Sequence, residues 1–233
     1  MKKLVSSMLV VALFGCLTIP AFAMYGSVIA DSTMTVGGIT KTTIKGTGSA
    51  EEVVADKDDV MNIYAKTVII DPDNYVLAED QVTNHYVRQA YNSCSTSLDK
   101  KDLKLGVYSV STLAATRYTD NTTNNDIDIV GEEILIAVRS ADPELSEPDG
   151  YINVPIADLS NGDGVAKNSV GVPRSTLLDI YSQHFIRVGV GDKIPQLYVK
   201  TDGSECYIVD ENCTDGVTTT YYKIDNGVAT CVD

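Results

Sequence analysis

The sequence predicts an α+β fold: a mainly antiparallel β-sheet with two principal helices and a C-terminal β-meander. Three observations carry this expectation. Val, Ile, Tyr and Thr alternate over residues 60–70 and stop at an Asp-Pro pair, which is the period of a half-buried strand. From Tyr75 to Ala90, apolar residues recur at spacings of three and four, the period of one helix face. Beyond Lys193, short β-prone runs are separated by turns rich in Gly, Asn and Asp, the punctuation of hairpins.

Element by element, the chain begins with an address. Met1-Lys2-Lys3 is basic, an uncharged apolar run covers residues 4–19, and Pro20-Ala21-Phe22-Ala23 closes it with small residues. This pattern is that of a bacterial secretory signal peptide over 1–23, too short for a stable membrane span. Cys16 follows Gly15 as in a lipoprotein box, but Phe14 and the continuing apolar run of Leu17-Thr18-Ile19 depart from that pattern. Removing 1–23 takes away two lysines and no acid, so the net charge of −14 becomes about −16.

Residues 24–59 are polar and read as an arm or hairpin, with Gly37-Gly38 as the turn and Gly46-Thr47-Gly48-Ser49 leading into an acidic loop. A strand is expected over 60–70. Asp71 then serves as an N-cap and Pro72 as the first residue of a helix over 73–93, on which Tyr75, Ala78, Val82, Tyr86 and Ala90 share a face. A short helical piece is expected over 98–105. Residues 107–118 fit strand or helix equally, and 119–128 read as a polar loop. The apolar run over 133–138 reads as a central strand buried on both sides, followed by a Pro-rich loop and a strand over 151–154. Pro173 opens the second principal helix. Residues 185–190 alternate as a strand, and 193–233 form the meander, with turns at 201–204, 211–212 and 225–227. The domain organisation is therefore the signal, the arm, an α+β domain over 60–192, and the meander packed on it.

Composition excludes several functions. With 18 Lys and Arg against 32 Asp and Glu, the chain has no basic cluster for a phosphate backbone or an anionic lipid surface. No phosphate-binding Gly loop, dinucleotide fingerprint, zinc-protease motif or G-x-S-x-G elbow is present.

Four cysteines remain after the signal: Cys94, Cys206, Cys213 and Cys231. An even number in an exported chain predicts two disulfides. A tight hairpin would pair Cys206 with Cys213, and Cys94 would then pair with Cys231. The spacing does not suit structural zinc. Asp120, Thr122, Asn124, Asp126 and Asp128 place oxygen ligands at every second position, so Asp120, Asn124, Asp126 and Asp128 form a weak calcium candidate. Asn125 replaces the usual Gly, and Gly131 stands where a Glu is expected. No other cofactor is implied, and no catalytic residue is singled out.

Thirteen tyrosines, no tryptophan and many threonines suit half-buried strands and surface contact. The expected function is that of an exported envelope or cell-surface protein of structural, adhesive or assembly type, located in the periplasm, on the surface or outside the cell. Its expected partners are other proteins or further copies of itself. The alternatives are a secreted hydrolase using Cys94 or a carboxylate pair, and a small calcium- or ligand-binding periplasmic domain.

Overall fold

The computed structural model describes residues 28–37, 43–52, 60–85, 92–101, 103, 106–134, 150–160 and 170–232. The expected signal at 1–23, the acidic loop over 53–59, the apolar run over 135–138 and the turn over 161–164 lie outside the described residues. Those described form strands β1 (Val28–Gly37), β2 (Thr43–Glu52), β3 (Val60–Ile70), β4 (Val76–His85), β5 (Asn92–Lys100), β6 (Gly106–Tyr118), β7 (Thr123–Ile134) and β8 (Tyr151–Val154). Helices α1 (Ile156–Ser160) and α2 (Arg174–Phe185) follow, then β9 (Gln196–Lys200), β10 (Glu205–Asn212), β11 (Gly216–Asp225) and β12 (Val228–Val232).

The strands make three antiparallel sheets. A three-stranded sheet, β1-β2-β5, faces a four-stranded sheet, β4-β3-β6-β7; a five-stranded sheet, β12-β11-β10-β9-β8, lies beyond. The molecule is thus mainly antiparallel sheet, with the expected meander at its C-terminal end and a smaller helical share than the sequence suggests.

The first two sheets meet through inward positions of strict period two. β2 turns Ile44, Gly46, Gly48, Ala50 and Glu52 inward, all buried. Two apolar layers form: Val28, Ala30, Ala50, Ile63, Ala65, Cys94 and Ala114 at one end, and Ile44, Ile69, Tyr108 and Val110 at the other. Between them runs a buried chain of hydroxyls. Ser32 bonds to Thr112 at 2.8 Å, Thr112 to Thr67 at 3.0 Å, and Thr67 to Thr96 at 2.5 Å, while Thr96 donates to the Gly48 carbonyl at 3.3 Å. Each hydroxyl finds a partner, so the layer avoids the cost of an unpaired buried polar group.

The open sides of this sandwich are closed by carboxylates rather than ladders. Asp126 and Asp128 of β7 accept the backbone N–H groups of Ala30 and Ser32 of β1 at 2.9 and 2.8 Å. On the other side, Asp80 of β4 accepts the Ser97 N–H of β5 at 3.1 Å. These contacts occupy edge donors that would otherwise invite a foreign strand.

The outer face of the four-stranded sheet carries the helices and, through them, the five-stranded sheet. Val68, Leu113 and Ile127 share one core with Leu177, Ile180, Tyr181 and Phe185 of α2 and with Leu197, Val199 and Ile208 of the meander. Because α2 lies between two sheets, most of its surface is buried, Thr176, Ser182 and His184 included, and only the stripe of Ser175, Asp179 and Gln183, spaced four apart, is exposed. The two halves are also tied by main chain: Val76 donates to the Asp192 carbonyl at 2.8 Å, Gly191 donates to the Val76 carbonyl at 2.9 Å, and Ile194 donates to the Asn74 carbonyl at 3.0 Å.

Asp192 anchors this junction. Its carboxylate accepts the N–H groups of Gly189 and Cys213, both at 2.8 Å. Burial alone would raise its pKa, but these bonds and the nearby Lys66 charge hold it below the ordinary carboxylate value. A depressed folded-state pKa contributes stability above the unfolded value of about 4, and this is lost as pH falls through the folded pKa. Asp192→Asn is therefore expected to cost about 1–3 kcal/mol at neutral pH and to flatten the loss of stability below about pH 4. Urea titrations at several pH values measure this; parallel pH profiles for the two proteins would contradict it.

Several local expectations are corrected. Residues 73–85 and 92–93, the described part of the helix expected over 73–93, are not helical. Asp71 does nucleate a turn, accepting the N–H groups of Asp73 and Tyr75 at 2.9 and 2.8 Å, but Asn74 then takes a left-handed φ of 68°. That reverses the chain into β4, which pairs with β3. The expected loop at Gly46–Ser49 is the middle of β2, because its glycines lie where the sheets approach closest. Residues 98–100 end β5 rather than start a helix, and only 119–122 of the expected loop precede β7. Of the run over 133–138 expected as a central strand, only Glu133 and Ile134 are described; they end β7, which among the described residues is the edge of its sheet. Residues 186–188 continue from α2 as turns, through bonds back to Ser182, His184 and Phe185, instead of forming a strand. The turn expected at 211–212 comes later, between Asn212 and Gly216.

Candidate functional site

The calcium candidate does not assemble. Asp120 sits in the β6–β7 turn, where its carboxylate holds the Thr122 N–H at 2.9 Å and hydroxyl at 2.6 Å. Asn124, Asp126 and Asp128 lie along β7, where alternate side chains stand about 7 Å apart instead of converging. Asp126 also bonds Arg174 at 2.7 Å, so its two oxygens serve α2 and β1. Among the described residues, no group of three or more His, Cys, Asp or Glu gathers in a way that suits a metal ion.

The expected disulfides are likewise absent from the geometry. β10 runs straight from Glu205 to Asn212, so Cys206 and Cys213 stand about 23 Å apart along an extended strand. Cys206 and Cys231 flank Tyr222 from opposite sides, each in register with it. That separates them by two strand spacings, about 10 Å, beyond disulfide reach. Cys94 lies in the sandwich interior opposite Ala50. All four are thiols. Burial pushes Cys94 up to about 11 and Cys206 up to about 12, so neither supplies the thiolate a nucleophile needs.

One constellation escaped the sequence. His184 of α2 faces two strands of the meander: Nδ1 lies 2.6 Å from the Asp210 carboxylate and Nε2 lies 2.9 Å from the Tyr222 hydroxyl. With Nδ1–H donating to Asp210, the Tyr222 hydroxyl donates to Nε2. Burial raises the Tyr222 pKa, which keeps that proton in place. The order carboxylate, imidazole, hydroxyl is shared with nucleophilic relays. Here, however, His184 is 6% exposed and Tyr222 8%, and neither lines the open cleft formed by residues 170–173, Gly203 and Asn226–Gly227. The group fastens α2 to β10 and β11. Three segments far apart in sequence build it, so no local spacing announces it.

The outer face of the five-stranded sheet carries a tyrosine cluster in which Tyr198 and Tyr207 are buried and Tyr221 is exposed. Tyr198, Tyr207 and Tyr221 lie in one cross-strand row that continues to Val232. Tyr198 and Tyr207 stack at 4.8 Å and 13°; Tyr151 meets Tyr207 edge-on at 5.0 Å. Stacked on each other, the central rings do not offer their faces to a flat ligand such as a sugar. Burial, then the neighbouring tyrosines, push Tyr207 up to about 12.

This row runs toward β12, the edge of the sheet. Val228-Ala229-Thr230-Cys231-Val232 is uncharged and β-prone, and Val228 and Val232 are 66% and 40% exposed. Val217 and Tyr221 extend the exposed apolar surface onto β11. The opposite edge, β8, has only four residues, and the sandwich edges are bridged by carboxylates. Among the described residues, β12 is the edge that carries no such protection. No helix among them is long and apolar enough to cross a membrane. Compared with known proteins, the chain matches no family model and no curated sequence, so its functional reading rests on this geometry.

Proposed function

We propose that the chain is an exported, non-enzymatic subunit of the bacterial envelope or cell surface, acting through contacts between strands. The observation that carries this reading is the β12 strand, five uncharged residues that form the end of their sheet among the described residues, where other edges are short or bridged. Edges of this kind recruit extended segments of other chains through main-chain hydrogen bonds. The secretory pattern over 1–23 supports the location, and the raised pKa values of the buried thiols argue against the hydrolase alternative.

The test is fractionation of cells producing the protein with and without residues 1–23, together with Ala229→Pro. The full chain should leave the cytoplasm and the shortened one should stay. Ala229→Pro should reduce retention in the envelope fraction several-fold without changing thermal stability. Cytoplasmic retention of the full chain would refute the export reading, and wild-type retention of Ala229→Pro would remove β12 from the function.

A further inference from the structure

We infer that one end of the sandwich interior binds a single monovalent cation between the carboxylate of Glu52 and the hydroxyl of Thr116. The site lies away from β12 and stands independently of the assembly reading.

The way β2 faces β6 brings the two side chains together. A Cβ on Gly46 would meet Val110, and one on Gly48 would meet Thr112, so these residues lie opposite each other across the interior. Two positions further along both strands stand Ala50 and Ala114, which share one apolar layer. Inward side chains recur at every second residue, so the next facing pair is Glu52 and Thr116. Tyr118, on the same face of β6 as Thr116, donates its hydroxyl to Glu52 Oε1 at 3.0 Å. That bond holds the carboxylate over this end of β6.

Both side chains keep an atom without a partner. Glu52 is 4% exposed and Thr116 is fully buried, yet among the described residues Glu52 Oε2 and Thr116 Oγ1 have no hydrogen-bond partner. Apolar neighbours surround them: Val28 is in register with Glu52 and Ile63 with Thr116, and both are buried. A buried charge is normally paired or bound to a metal ion, because taking it out of water is costly. None of the ion pairs formed among the described residues includes Glu52. A bridging water would satisfy the two oxygens and leave the charge unbalanced, whereas a cation does both.

The donors define the class of ion. Carboxylate and hydroxyl oxygens suit a hard cation. Tight calcium sites gather several carboxylates; here one carboxylate supplies one charge, which a monovalent ion balances. Glu52 is the last residue of β2, so the site lies at the end of the interior, where the ion can keep part of its water shell.

The test compares thermal melts of the purified protein in sodium chloride and in choline chloride at equal ionic strength, which equalises screening. Sodium at ten times its dissociation constant should raise Tm by about 3–6 °C over choline, an ion too large for the site. Glu52→Gln keeps the shape, removes the charge and should abolish this increment, and Thr116→Val should weaken sodium binding several-fold. Glu51→Gln removes the same charge from the outward side of β2 and should keep the full increment. A crystal structure of the wild-type protein grown from sodium chloride gives a reading that does not depend on the variants folding. It should show an ion closer to Glu52 Oε2 and Thr116 Oγ1 than the roughly 2.7 Å of an O–H···O bond. Equal melts in sodium and choline, an increment that survives Glu52→Gln, or a hydrogen-bonded water in that position would overturn the cation site.

Discussion

Lys66→Met is expected to destabilise the protein by about 3–5 kcal/mol, the cost of deleting one partner of a buried charged network. Lys66 points outward from β3 into the helix layer and is 2% exposed. Its ammonium donates to the Ile186 and Val188 carbonyls, the first at 3.0 Å, and pairs with Glu79 at 3.0 Å. Those carbonyls follow the C-terminal end of α2, where a cation also meets the negative end of the helix dipole. Methionine keeps most of the volume but supplies no donor, so the buried Val188 carbonyl, the part-buried Ile186 carbonyl and a carboxylate lose their partner at once. Glu79 is about a third exposed and can turn to water, so Glu79→Gln should cost much less, about 1 kcal/mol or below. Denaturant midpoints at constant slope measure both changes. A Lys66→Met cost near that of Glu79→Gln would mean that the carbonyls are satisfied some other way.

The same lysine shows why the halves of the chain were hard to join on paper. A lysine within the alternating run of β3 reads as a solvent-facing position, because only tertiary structure brings the end of α2 over it. His184, Asp210 and Tyr222 behave alike: each is unremarkable in its own segment, and the fastening exists only once α2 lies across β10 and β11. By contrast, local chemistry that commits the backbone was legible. The alternation of β3 gave its bounds, Pro173 marked the start of α2, and Asn226-Gly227 placed the last hairpin. What misled was chemistry shared by two outcomes. Asp71-Pro72 can cap a helix or turn a hairpin, and the left-handed φ of Asn74 decides for the hairpin. The carboxylates over 120–128 can surround a cation or cap strand edges, and the nearness of β1 to β7 decides for the edges. Cysteine count suggested bridges, but in a sheet the register sets the distances, and it keeps Cys206 and Cys231 on either side of Tyr222.

Gly48→Val should be the most damaging single substitution in the sandwich, expected to cost more than about 3 kcal/mol, the upper end for ordinary overpacking. Gly46 and Gly48 suggested a flexible loop, yet both lie inside a ten-residue strand. The reason is steric. A Cβ at Gly48 would overlap the hydroxyls of Thr67 and Thr112, and one at Gly46 would press on Val110 at 3.1 Å. At Gly48 the neighbours are central strands and cannot withdraw, and they also carry the hydroxyl chain. Valine would force the sheets apart and break the Thr67–Thr112 and Thr67–Thr96 bonds together, leaving buried hydroxyls unpaired. At Gly46 the obstacle is the tip of one side chain, so Gly46→Ala should cost about 1–2 kcal/mol. Thermal melts of the two variants test the contrast. Equal and small shifts would show that the sheets can separate freely, and that the glycines reflect strand composition rather than close approach.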